Sequence, residues 1–147
     1  MKRVLWVALL LCSCGNHHPQ QTTRTAPPAD AAAPHDAPAL DRDLPRLAQR
    51  ALEMTEHVAA ALTAAGEDCA AATQKLTELH AAYTDVVAAN AKVMHDGRAR
   101  EMRQALEPMS AQFDAAAKTI MGSKTLPRCS QDAAFARAFD LLFEAPP

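Results

Sequence analysis

Residues 43–66 read DLPRLAQRALEMTEHVAAALTAAG. The apolar positions Leu44, Leu47, Ala51, Met54, Val58, Ala61 and Ala65 follow one another in steps of three and four, which puts them on one face of an α-helix. Asp43 is placed to accept from the first free backbone N–H groups, and Pro45 is tolerated only in a first helical turn. Gly66 is suited to the conformation that ends a helix. One helix is therefore predicted over residues 44–65.

The same period continues outward. Glu67 and Asp68 open a second helix whose stripe is Cys69, Ala72, Leu76, Leu79, Tyr83, Val86, Asn90 and Val93, ending at His95-Asp96-Gly97. Asn90 is the one polar seam residue after its first turn, the kind of buried amide that fixes register. A wet or interfacial position, or a place in the lining of a small-ligand site, is the alternative. A third helix carries Ala99, Met102, Leu106, Met109, Phe113, Ala116 and Ile120 and stops at Gly122. Pro108 lies inside it and should kink or break it, because the ring clashes with the carbonyl four residues back and supplies no donor. A loop over residues 123–128 then leads through Cys129 to Ser130, read as the N-cap of a short fourth helix. That helix is the most apolar of the four, with Phe135, Phe139 and Phe143 expected to wedge the core shut. Short connections make neighbours antiparallel, so the expected fold is all-α: an up-down-up-down four-helix bundle over residues 42–145.

Composition agrees with this class. The hydrophobic fraction of 49% overstates the core, since 34 residues are Ala and only six are Phe, Trp or Tyr. Alanine favours helices and lets them approach closely, while the strand formers Val and Ile are scarce. Residues 14–41 are polar and rich in Pro and Ala without an apolar period, and read as a disordered tether that holds the body at a distance. His17, His18 and His35 in it are read as solvated.

Before the tether, Lys2 and Arg3 precede the apolar run Val4 to Leu11, which is too short to span a bilayer: a signal peptide over residues 1–13. It closes with Leu11-Cys12-Ser13-Cys14, which resembles the lipobox of bacterial lipoproteins, with an aliphatic residue three before the cysteine and a small one just before it. Cys12 fits poorly, because Leu9-Leu10-Leu11 offers no small residue at the cleavage position. The resemblance implies cleavage before Cys14, acylation of Cys14, and a lipid bilayer as the first partner. The lipid chains of such a cysteine exceed the two signals that stable anchoring needs. Gly15 stands where an Asp would favour inner-membrane retention, so the resemblance implies attachment on the periplasmic face, at the outer membrane. Cleavage takes away Lys2 and Arg3, lowering Lys+Arg from 15 to 13 against 17 acids, a net charge of -4. A mildly acidic chain with no basic stripe does not suit a nucleic-acid partner.

The motifs of common catalytic sites are missing: there is no Gly-rich phosphate loop, no Gly-x-Ser-x-Gly and no His-Glu-x-x-His. Glu53/Glu56 and Glu101/Glu107 read as solvated helix faces. For haem, Met54 could supply one ligand, but the fourth helix contains no His. For a soft metal such as Cu(I), Met94, His95 and Met102 gather near the turn between the second and third helices. Against this, Met102 and Met109 share a heptad position as core filler, and His95 suits the end of a helix dipole. His57 and His80 flank their seams as boundary residues. No cofactor is expected.

Two cysteines remain once Cys12 leaves and Cys14 is acylated. The second helix travels roughly 40 Å from Cys69 and the third returns roughly 35 Å, so Cys129 arrives back at the level of Cys69. In an oxidising periplasm the two should form a disulfide. The expected function is a membrane-anchored, non-catalytic binding or envelope-structural module, with an envelope protein as partner. A periplasmic metal-binding or metal-stress protein is the alternative.

Overall fold

The computed structural model describes residues 38–143, all within the unit Asp36–Pro147. The signal segment, Cys14 and the tether histidines lie outside the described residues. A 3-10 turn, Leu40–Arg42, leads into α1, Leu44–Ala65. Asp43 Oδ1 accepts from Arg46 N at 3.2 Å, Pro45 sits in the first turn, and Gly66 ends the helix at φ 59. The linker therefore stops earlier than residue 41. Asp41 is already tied down, its carboxylate 3.6 Å from Lys92 and its carbonyl accepting from Arg98 at 2.9 Å.

The predicted second helix is two: α2, Cys69–Ala82, and α3, Thr84–His95. Asp68 caps α2 by accepting from Ala71 N. At Tyr83 the backbone leaves the helical region (φ -116, ψ 19), and the amides of Val86 and Val87 both bond to its carbonyl. Two side chains hold this break. Tyr83 turns inward and bonds to His57 of α1, while the Thr84 hydroxyl donates to the His80 carbonyl. The interruption changes which face of α3 is covered. Val86, Ala89 and Val93 are buried, while Asn90, expected on the seam, is exposed.

Gly97, at φ 73, turns the chain into α4, Ala99–Leu106; Arg98 N reaches back to Val93 O, closing the end of α3. Pro108 does interrupt the third helix. Glu107–Met109 form a 3-10 turn, after which α5 runs Ser110–Met121. The segment expected to be a loop contains a short helix, α6, Thr125–Cys129. Pro127 is its third residue, in the first turn where no N–H partner is required. Ser130 ends α6 instead of capping the next helix. The cap of α7, Ala133–Phe143, is Asp132, whose Oδ1 accepts from Ala134 N and Phe135 N at 2.9 and 3.0 Å. The fold is all-α, with no strand among the described residues; the interruption at Pro108 was expected, whereas the one at Tyr83 and the short α6 were not.

The long helix α1 is central, packing on α2, α3, α4 and α5, while α7 packs on α2. Leu47, Val58, Leu62, Leu76, Val86, Val93 and Phe135 form the inaccessible heart. Burying a side chain of this size stabilises by about 1.5–3 kcal/mol. The phenylalanine wedge is graded: Phe135 is buried, Phe139 partly so, and Phe143 is 42% exposed. Their rings follow one another along α7 at 6.1 and 5.0 Å between centroids.

The far end of α1 is fastened twice. Thr125, fully buried, directs its hydroxyl at the Leu62 and Gly66 carbonyls, both at 2.6 Å. The Leu62 carbonyl also accepts from Gly66 N at 3.2 Å, so the threonine reinforces a helix end that the backbone already closes. Beside it Cys69 and Cys129 are joined by the expected disulfide, Sγ–Sγ 2.02 Å, tying α2 to α6.

Candidate binding cleft

Ala51, Met54 and Thr55 of α1 form the floor of a cleft. One wall comes from Val86, Val87 and Asn90 of α3, continued by Leu142 and Phe143 where α7 ends. The other is Met102 and Leu106 of α4 with Phe113 of α5. The cavity volume is about 180 Å³. The 3-10 turn at Pro108 sets Leu106 and Phe113 on either side of an elbow in the cleft's wall.

Among the described residues, no ionisable side chain lines this cleft. Its polar groups are the Thr55 hydroxyl, which donates to the Ala51 carbonyl at 2.8 Å, and the Asn90 amide, which makes no side-chain hydrogen bond among the described residues. Leu106 and Phe113 are shared with an open groove of about 600 Å³ on the outside of the elbow. That groove carries Arg100, Arg103, Glu107 and Asp114 and so has both signs of charge.

A polar cluster occupies the α2–α3 junction. The Tyr83 hydroxyl lies 2.7 Å from His57 Nδ1, and the Arg50 guanidinium sits over the Tyr83 ring at 4.8 Å. Arg50 also pairs with Glu53 at 3.3 Å and Asp85 at 3.6 Å. Burial pushes the Tyr83 phenol above its ordinary range, with Arg50 pulling the other way. The cluster locks the junction and thereby the face that α3 offers to the cleft.

The residues singled out in the sequence meet different fates. Cys69 and Cys129 are bonded; Cys14 lies outside the described residues. The soft-metal candidates are separated by burial: Met102 is in the core, whereas Met94 is 52% exposed and the His95 side chain 89% exposed. His95 Nδ1 lies 3.6 Å from the Asp96 carboxylate. No group of three or more His, Cys, Asp or Glu side chains is placed to hold a metal among the described residues. Met54, the haem candidate, lines the cleft together with Met102. His57 is exposed and His80 half-buried, as boundary residues should be.

The cleft residues Thr55, Val87 and Phe143 were not singled out as a site. A signal pointed to Phe143 alone: Leu141-Leu142-Phe143 is an unbroken apolar run, and a single helix face cannot bury all three. Leu142 is buried, while Leu141 and Phe143 are exposed on either side of it. No described helix is long and apolar enough to cross a membrane. No family model, curated protein or solved structure matches the chain.

Proposed function

We propose that the protein is a lipoprotein held by acylated Cys14 on the periplasmic face of a membrane, the outer one by the Gly15 criterion, and that it acts as a non-catalytic binding or envelope-structural module. The cleft between α1, α3, α5 and α7 is its contact surface. The observation that carries this reading is the character of that cleft: an apolar recess whose polar groups among the described residues are two and neutral, which suits holding a partner better than transforming it. The anchor rests on Leu11-Cys12-Ser13-Cys14 and its charged and apolar flanks. Residues 14–37 would then act as a leash between bilayer and body.

The test is site-specific photocrosslinking in intact cells of a Gram-negative host. A crosslinker at Asn90, on the cleft rim, should yield a discrete membrane-associated adduct that one at Gln74, exposed on α2, does not. Indistinguishable patterns from the two positions would count against the cleft.

A further inference from the structure

We propose that the cleft receives the aromatic side chain of an extended peptide, with the flanking peptide chain lying in the groove outside the α4–α5 elbow. This rests on the reading of the cleft as the binding surface, and adds the chemistry of what is bound. Size comes first. A dry cavity of about 150 Å³ accommodates benzene. The 180 Å³ here therefore fits one aromatic ring and not a lipid chain of ordinary length. The walls suit a ring in particular. Met54 and Met102 bring thioethers, and Phe113 and Phe143 bring aromatic rings, both of which add attraction to an aromatic guest beyond simple burial.

Asn90 decides between a free hydrocarbon and a peptide. Its exposed side chain offers one acceptor and two donors at the mouth, the set that pairs with the N–H and C=O of a peptide unit. A hydrocarbon would leave it idle. The groove then decides what continues past the ring. It joins the cleft through Leu106 and Phe113, so a chain anchored in one lies naturally in the other. Arg100 and Arg103 stand there with Glu107 and Asp114, so no single sign of charge prevails. A uniformly anionic partner, whether nucleic acid or acidic headgroup, meets as much repulsion as attraction. The alternating donors and acceptors of a peptide backbone find partners of both kinds.

The experiment uses residues 36–147, the unit that contains the whole core and the disulfide. Backbone amide chemical shifts are followed on titration with toluene, N-acetylphenylalanine amide and the capped pentapeptide Gly-Gly-Phe-Gly-Gly. Both peptides should shift Val87, Leu106 and Phe113, and the pentapeptide should also shift Arg103 and Ser110. Asn90→Ala, a surface change that leaves the core untouched, should weaken the peptides by about threefold to tenfold, the range of one hydrogen bond, and leave toluene unaffected. Toluene binding without peptide binding would overturn the peptide assignment while leaving the cleft a binding site. No saturable shift with any of the three would overturn both. Equal loss for toluene and peptides in Asn90→Ala would also overturn the assignment, by removing the amide's specific role.

Discussion

Thr125 and Tyr83 show how single side chains hold this molecule together. Thr125 Oγ1 lies 2.6 Å from two carbonyls at the end of α1, where its single proton serves one at a time, so removing the hydroxyl takes away that bond while Leu62 O keeps the one from Gly66 N. Thr125→Val, which keeps the shape, should cost about 0.5–1.5 kcal/mol, one net hydrogen bond, in urea denaturation of residues 36–147; an unchanged midpoint would show that the hydroxyl adds nothing to this helix end. Tyr83 is the only tyrosine of the chain, and its burial raises the phenol pKa. A raised folded-state pKa means that the protonated form is favoured by folding. Its stabilisation is complete below the ordinary tyrosine range and is lost as pH rises through the folded value. Phenolate absorbance should thus titrate at higher pH in the native than in the urea-unfolded protein, and stability should fall over that alkaline window. Coincident titrations would mean that Tyr83 is solvated. Neither role was readable in the sequence. Tyr83 sits in step with Leu79 and Val86 as an ordinary seam residue, and nothing about Thr125 among Ser, Lys and Pro neighbours marks it as buried.

At the scale of elements, periodicity was a good guide to existence and a poor one to continuity. Leu47, Val58, Leu76, Val93, Met102 and Ile120 were all assigned inward by spacing, and all are buried. The break at Tyr83 left no mark in the three-four pattern, because its causes are a contact with His57 on another helix and one hydroxyl bond by Thr84. Asn90 was misplaced for the same reason: α3 is centred on Val86, Ala89 and Val93, one step around the helix. Pro127 suggested a loop although it occupies the first turn of α6. The Cys69–Cys129 pair was legible because helix lengths set where the chain returns. The bond spans 60 residues, and closing a loop of that length should stabilise by roughly 4 kcal/mol in the chain-entropy model. Cys69→Ser/Cys129→Ser should lower the unfolding free energy by about that amount, read from urea curves. A loss below about 1 kcal/mol would mean that the alanine-rich core does not depend on the staple.

For the whole molecule, the cleft could not be foreseen, because it depends on how α7 packs against the other helices and on the elbow at Pro108, which are properties of packing. The anchor stands in the opposite position: it is legible in residues 1–15, outside the described residues, and independent of the fold. In the proposed reading the two parts would divide the labour, with the lipid deciding where the body works and the cleft what it holds. Exchanging Cys14 for Ala should therefore free the body from membranes or leave an uncleaved precursor, without altering the folded core. The most direct test of a lipid-held helical module is mass spectrometry of the N-terminal peptide from protein extracted from membranes. The account predicts a chain beginning at Cys14 and carrying a diacylglyceryl group with an N-acyl chain. An N-terminus at any other residue, or an unmodified Cys14, would contradict it.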